Sequence, residues 1–378
     1  MSECKLSGNV GEWSEVYAFF HLLGSPYLVA CDAQLQPLNN NNLPVISIYR
    51  GVGANGPLAY YYIADKGGLW AISENGELGT TVSAKEGKEA AESLLSDMQK
   101  CIEDKKKKGM QFPKAEQFLA RLSDCRLKAK ASEKEDIVLT LNDIRAGQNI
   151  SCGFSIKSYL GSEPTLLNAS VDNTNILYHV DGIDDETAEE ITEQALASNA
   201  KIVTLMELLQ RAGATISYQR LLGEQFARNL SYIDTMMPKI LGELLLCHYL
   251  TQEDRLEQVT AKIAQDDPVG LHDSQLYHYK VQKFLEAVAL GMTPSKPWQG
   301  AEDANGGFLI VKPDGDLVTY HLYNRQALDE YLLRYTRFEH PSTSRHHYAY
   351  LYKDSNGQWN LKLALQIRFL NPGKNRNE

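Results

Sequence analysis

Apolar positions fall at helical spacing in "EWSEVYAFFHLL" (12–23), with Gly11 before the run and Gly24 after it, which predicts a first helix. "PVISIYR" (44–50) and "LAYYYIAD" (58–65) are rich in Val, Ile and Tyr and predict two strands. The segment between them, "GVGANG" (51–56), spells G-x-G-x-x-G. A dinucleotide fingerprint must open a helix, whereas Pro57 and a tyrosine-rich run follow here, so a hairpin loop is expected. The tract "NNNN" (39–42) is expected to be a polar loop. Residues 84–125 carry a helical pattern broken near "KKKKGMQFP", whose lysine run reads as a solvated helix end. "EDIVLTLND" (135–143) and "ISCGFSIKS" (150–158), joined by "IRAGQN", predict a β-hairpin.

Residues 184–291 read as one long helical block with core-facing Leu and Met stripes. The chain then returns to β. "GGFLIVKPDGDLVTYHLY" (306–323) predicts a hairpin around Asp314-Gly315, a short helix follows near 326–335, and "HHYAYLYKDSNGQWNLKLALQIRFL" (346–370) predicts a second hairpin turning at Asn356-Gly357. The fold class expected is α/β: a mixed β-sheet flanked by helices, with a helical insertion. Three segments are expected, at 1–183, 184–295 and 296–378, the last of them β-rich and packed on the first.

Composition places limits on function. With 378 residues, 43% hydrophobic and 23% charged, the chain is an ordinary globular protein long enough for a large core. No apolar run approaches the roughly 18–20 residues a membrane span needs, and "MSECKLSGNVGEWSE" has no apolar signal region, so a cytoplasmic protein with no membrane partner is expected. The six scattered cysteines show no metal-ligand spacing and are expected as reduced thiols. Net charge is −10, which argues against wholesale polyanion binding but leaves room for a local basic surface. From Asp181 to Glu193 there are seven acids and no Lys or Arg. From Phe308 to Glu378 ten Lys and Arg face seven acids, so the C-terminal segment is the better place for phosphate contacts.

The candidate chemistry lies in the hairpin. Its turn centres near Gly147, so antiparallel pairing sets Asp136 across from Ser155 and Lys157, while Asp143 stays near the turn. Ser155 and Lys157, two residues apart on a strand, project from one face. A lysine in an apolar run costs several kcal/mol unless paired. One carboxylate, one hydroxyl and one ammonium at one end of a hairpin form the D…(D/E/S)-x-K pattern of metal-dependent phosphodiesterases. Such chemistry needs a carboxylate to hold Mg2+ against the scissile phosphate and a lysine to orient water and balance charge. The competing reading is a surface lysine salt-bridged to Asp136.

"GEWSEVYAFFHLL" (11–23), "GFSIKSYLGSEPTLLNAS" (153–170), "GGFLIVKPDGDLVTYHLYNR" (306–325) and "HPSTSRHHYAYLYKDSNGQWNLKLALQIRFL" (340–370) resemble, in order and over almost the whole chain, the blocks of the HpaII-type restriction endonuclease family. The resemblance implies a restriction-endonuclease-like PD-(D/E)xK core at 1–183, Mg2+-dependent cleavage of double-stranded DNA at a short sequence, and a protective DNA methyltransferase as a functional rather than physical partner. It also implies that activity rests on Asp136, Ser155 and Lys157. Serine stands where the wider superfamily has an acid, and a hydroxyl is a poor ligand for a hard cation. A second carboxylate is therefore expected, from Glu15 on the first helix, with Glu12 as a helix-dipole partner and Glu163 a weaker candidate. The backbone carbonyl of Ile156 is expected to complete the metal shell.

Two polar blocks are candidates for DNA contact, and the segment 296–378 for recognition. "SYLGSEPTLLNAS" follows the catalytic strand; Ser158 and Asn168 can hydrogen-bond phosphate or base, or the block is an ordinary capped helix. In "HPSTSRHH" (340–347), a Pro-containing loop, Arg345 suits a guanine edge, with Ser342, Ser344 and His346 beside it. Arg337 and Lys353 are candidate phosphate contacts. A palindromic target would favour a two-fold homodimer. Two other classes stay open: a DNA-binding protein with an inactive nuclease site, and a structure-specific repair nuclease.

Overall fold

A computed structural model of the chain describes residues 5–53, 56–105, 109–127, 135–143, 147–321 and 324–371. The protein divides into two compact units. One comprises Met1–Pro164, Glu302–Leu328 and Asn371–Glu378, the other Thr165–Ala301 and Asp329–Leu370. The segment expected as one C-terminal block at 296–378 is thus shared between the two units.

The first unit is built on a nine-stranded mixed sheet. Its spatial order is Tyr27–Cys31, Leu317–His321, Gly307–Val311, Gln148–Ser158, Ile137–Asp143, Pro37–Gly53, Gly56–Ile63, Leu69–Glu74 and Glu77–Ser83. Gln148–Ser158 lies inside this sheet, antiparallel to Ile137–Asp143 and parallel to Gly307–Val311. The hairpin expected around Asp314-Gly315 is formed, with Gly315 at φ 93°, the left-handed region its turn needs. "NNNN" is no loop, since it lies within the long strand Pro37–Gly53, where Asn42 pairs with Val29. Gly53 pairs with Gly56 across a hairpin whose tip, 54–55, lies outside the described residues; a strand follows, not a helix, which removes the dinucleotide reading.

The first helix, Val10–Gly24, is started by a capping box: Asn9 Oδ1 accepts from Glu12 N, and Glu12 Oε2 accepts from Asn9 N. It is apolar nearly all round because the sheet and the helix Ala84–Glu103 bury it from several sides. Three polar contacts fix it: Trp13 Nε1 donates to Met110 O at 3.0 Å, Tyr17 OH to Gly315 O at 2.5 Å, and Ser14 Oγ to Ser158 Oγ at 2.8 Å. On the other side of the core a buried ion pair joins Arg50 and Asp124 at 2.8 Å, with Arg126 also on Asp124 at 2.9 Å.

In the second unit the block 184–291 is not helical throughout. Thr215–Leu221 is a strand, in a four-stranded antiparallel sheet ordered Thr215–Leu221, Asn175–Asp181, Trp359–Ala364, Leu351–Lys353. Helix Met237–Thr251 packs on this sheet: Tyr178 OH donates to Gly242 O at 2.7 Å and Tyr249 OH to Ala364 O at 2.9 Å. The hairpin at Asn356-Gly357 is present, though its first strand spans only Leu351–Lys353. A separate sheet joins Thr336–Phe338, Ile367–Phe369 and Thr165–Leu167. Thr165 therefore begins a strand, and the capped-helix alternative for 158–170 does not hold.

Candidate active site

The hairpin register brings the expected residues together. Ile137 pairs with Phe154 and Asp136 N donates to Phe154 O at 2.8 Å, so the Asp136 side chain arrives beside Ser155. Asp136 Oδ2 accepts from Ile156 N at 2.6 Å and from Ser155 Oγ at 3.2 Å. Lys157 Nζ donates to Ser155 Oγ at 2.7 Å and stands 5.3 Å from the centre of the Phe308 ring. Ser155 is buried, while Asp136 and Lys157 are half-buried. A backbone amide and a hydroxyl thus orient the carboxylate, and that hydroxyl also holds the ammonium.

Strand alternation separates two faces. Phe154 and Ile156 enter the core shared with the first helix, and Ser158 meets Ser14 of that helix. Gly153, Ser155 and Lys157 project the other way. Gly153 has a specific reason to lack a side chain: a Cβ there would collide with Glu135 Oε2 and crowd Asp303 O. The Glu135 carboxylate therefore stands on the Ser155–Lys157 face, one place along the strand. Nothing in the sequence alone marks Glu135 for this place, where it is one acid beside another. The Glu-Asp pair opposite a Gly-x-Ser-x-Lys strand was the available signal, and it needs the register to be seen.

Glu15 is half-buried on the first helix, which bears on the Phe154–Ile156–Ser158 face, while Glu12 serves the cap. Ser158 is buried, with its hydroxyl accepting from Ser14 Oγ and Leu160 N, which leaves it poorly placed for DNA. In the second unit, "HPSTSRHH" is not a plain loop: Thr343–His346 is a short helix, with Ser342, Ser344 and Arg345 exposed and the two serine hydroxyls 3.1 Å apart. Asn168 is exposed just beyond the strand Thr165–Leu167. Arg337 is 13% exposed between Asp254 at 3.8 Å and Glu339 at 3.7 Å, and Lys353 is held by Asp185 at 2.5 Å, so carboxylates already occupy both expected phosphate contacts. Burial, with Arg345 and His347 adding to it, holds the His346 imidazole below its ordinary pKa.

Asp136 and Glu135 offer carboxylate oxygens, the donors a hard divalent cation takes, while the Ser155 hydroxyl is engaged by Lys157 and Asp136. Among the described residues no group of three His, Cys, Asp or Glu gathers as a metal site. The partial shell fits Mg2+, which usually keeps waters and uses one or two carboxylates with substrate phosphate oxygens.

The chain is 35% identical over 367 residues to the type II restriction enzyme HpaII of Haemophilus parainfluenzae, covering 96% of this chain and 99% of that protein. No solved structure matches. The family model for HpaII restriction endonuclease matches residues 9–369, and the chain belongs to that family.

Proposed function

We propose that this site-specific restriction endonuclease hydrolyses double-stranded DNA with Mg2+ on a PD-(D/E)xK core, through Asp136, Ser155 and Lys157. Family membership over nearly the whole chain supports the endonuclease. The observation that carries the residue assignment is the chain of contacts from Lys157 Nζ through Ser155 Oγ to Asp136 Oδ2.

Asp136 would hold the cation, with the Ile156 carbonyl and a second carboxylate, Glu135 or Glu15, completing the protein's share. Bound there, Mg2+ supplies charge stabilisation at the phosphate and makes water more acidic. Lys157 orients the attacking water and offsets the negative charge gathering on phosphorus. Ser155 fixes the Lys157 ammonium. Water adds to phosphorus, the bond to the 3′-oxygen breaks and that oxygen takes a proton, leaving a 5′-phosphate and a 3′-hydroxyl. Arg345, Ser342, Ser344 and Asn168 are proposed DNA contacts. The host would need a methyltransferase to protect its own sites, and a palindromic target would suit a homodimer in the cytoplasm.

Incubation of the protein with unmethylated bacteriophage DNA and Mg2+, beside Asp136→Ala and Lys157→Ala, tests this reading. Discrete fragments that disappear in both variants support it. Serine in place of an acid at 155 favours one second reading, a binding protein that never cuts; intact DNA with binding retained would select it.

A further inference from the structure

The four-stranded sheet of the second unit has two unlike faces. Ile176, Tyr178, Val180, Leu361 and Leu363 are buried on the side of helix Met237–Thr251. Alternation sends the intervening residues to the opposite face. There His179 lies in register between Ser217 and Asn360, and Leu177 between Arg220 and Lys362. Ser217 and Arg220 are exposed, and His179, Tyr352 and Lys362 are half-buried. The Lys362 ammonium stands 4.8 Å from the centre of the Tyr352 ring, and the Tyr350 ring is 6.1 Å from that of Tyr352. Leu177 at its centre is buried, and the residues around it are polar or aromatic, with one cation, Lys362, over a ring.

A bulge sharpens the point. Register slips between Tyr218 and Arg220, so Gln219 is an extra residue in its strand. Its Nε2 meets His179 Nε2 at 2.8 Å. With the imidazole neutral and accepting, Gln219 keeps one amide hydrogen and its oxygen for something else. Gln219 Oε1 is buried with no hydrogen-bond partner among the described residues, and so is Oδ1 of Asn360, a residue only 1% exposed. Both oxygens keep acceptor capacity for a water or a ligand group.

The short helix Thr343–His346 joins the same face. Asn175, on the face of Leu177 and His179, donates from Nδ2 to His346 O at 3.0 Å, which sets Arg345 at the rim. The acids of this face stand at strand ends: Asp181 closes Asn175–Asp181, and Asp354 is taken up by its own hairpin, accepting from Asn356 N and Gln358 N. The face carries Arg220, Lys362 and Arg345 against Asp181 and Asp354, a small excess of cations in a chain of net charge −10. An excess of cations in an acidic chain suits a polyanion.

We infer that this open sheet face is a DNA-contact surface, with Arg220 and Lys362 on phosphates and the bulged Gln219, aimed by His179, on a base edge. Phosphate contacts set position, and the amide hydrogen left over from the His179 contact can reach a base acceptor. The inference rests on the nuclease reading for DNA as the ligand, and it adds the strands Asn175–Asp181, Thr215–Leu221 and Trp359–Ala364 to the residues proposed above.

The test uses the full chain carrying Asp136→Ala, so that DNA is bound without being cut. Wild-type protein first cuts unmethylated bacteriophage DNA, and sequenced ends give a short duplex containing the site. Binding to this duplex and to a scrambled one is then measured across a NaCl series. Arg220→Ala/Lys362→Ala should weaken binding to both about tenfold or more and lower the slope of log affinity against log salt by about two. Gln219→Ala should erase most of the preference for the site duplex. Lys85→Ala, on the first unit's surface, should change neither. Thermal melting checks folding, and Arg220→Gln/Lys362→Gln repeats the charge loss with less truncation. If wild-type protein cuts DNA while all these variants keep the parent's affinity, salt slope and preference, the face is not the contact surface. If wild-type protein neither cuts nor binds DNA, the nuclease reading falls as well.

Discussion

Lys157 reaches Asp136 through a hydroxyl: its Nζ donates to Ser155 Oγ at 2.7 Å, and Ser155 Oγ donates to Asp136 Oδ2 at 3.2 Å. The serine thus does not merely occupy the place of an acid; it ties ammonium to carboxylate. Ser155→Ala should lower the cleavage rate roughly 10–100-fold, the usual cost of losing a group that orients a ligand or catalytic side chain. Affinity for DNA, measured with Ca2+ in place of Mg2+, should stay unchanged. An unaltered rate would show that Lys157 needs no such support.

Glu135 is placed by the absence of a side chain at Gly153. Glu135→Gln should reduce the rate roughly 10–100-fold and raise the Mg2+ concentration needed for half-maximal activity. Gly153→Ala should do the same by displacing the carboxylate, with little change in secondary structure by circular dichroism. Should Glu135→Gln prove silent while Glu15→Gln raises the Mg2+ requirement, the second acid comes from the first helix.

Much of this site could be read from sequence because one turn fixes one hairpin. The bend expected near Gly147 sets the right end of the hairpin, and the observed pairing of Asp143 with Gln148 centres the register about one and a half residues earlier, which brings Asp136 level with Ser155. Other parts needed three dimensions. Glu135 matters only when its position over Gly153 is known. Thr215–Leu221 alternates weakly between strong helical patterns, and Glu77–Ser83 is a largely exposed strand at the edge of its sheet, so neither carries a clear apolar period. Of the acids that hold Arg337, Glu339 is two residues away, but Asp254 comes from a distant segment, which local pattern cannot show. The open face of the second sheet escaped for a related reason: its strands come from 175–181, 215–221 and 351–364, and no single block contains it.

Arg50 and Asp124 are 3% and 0% exposed and form a contact across 74 residues of sequence. Asp124→Ala would leave two arginines facing a buried gap, and stability should fall by roughly 3–5 kcal/mol. Arg50→Met/Asp124→Leu removes both charges and should lose far less. Urea unfolding of the three proteins, followed by tryptophan fluorescence, makes the comparison. Equal losses in the single and double variants would mean that packing, not the unpaired charge, sets the cost.

His248 is 3% exposed, packed against Phe338 and His340. Burial, with His340 and Arg337 adding to it, lowers its pKa to about 4, although the carbonyl of Glu253 at Nδ1 acts in the opposite sense. In the unfolded chain the imidazole takes a proton near pH 6.5. Between these values the unfolded state binds more protons, so stability is full above about pH 6.5 and declines as pH falls toward 4. The loss from this residue should reach about 2 kcal/mol at pH 5, before most carboxylates titrate. His340, also held below its ordinary pKa by burial, adds in the same direction. Melting temperatures of wild type and His248→Gln between pH 7 and pH 5 should therefore converge as the solution is acidified, the variant lacking this share of the decline. Parallel curves would place the His248 proton equilibrium at its unfolded value and remove this residue from the acid response.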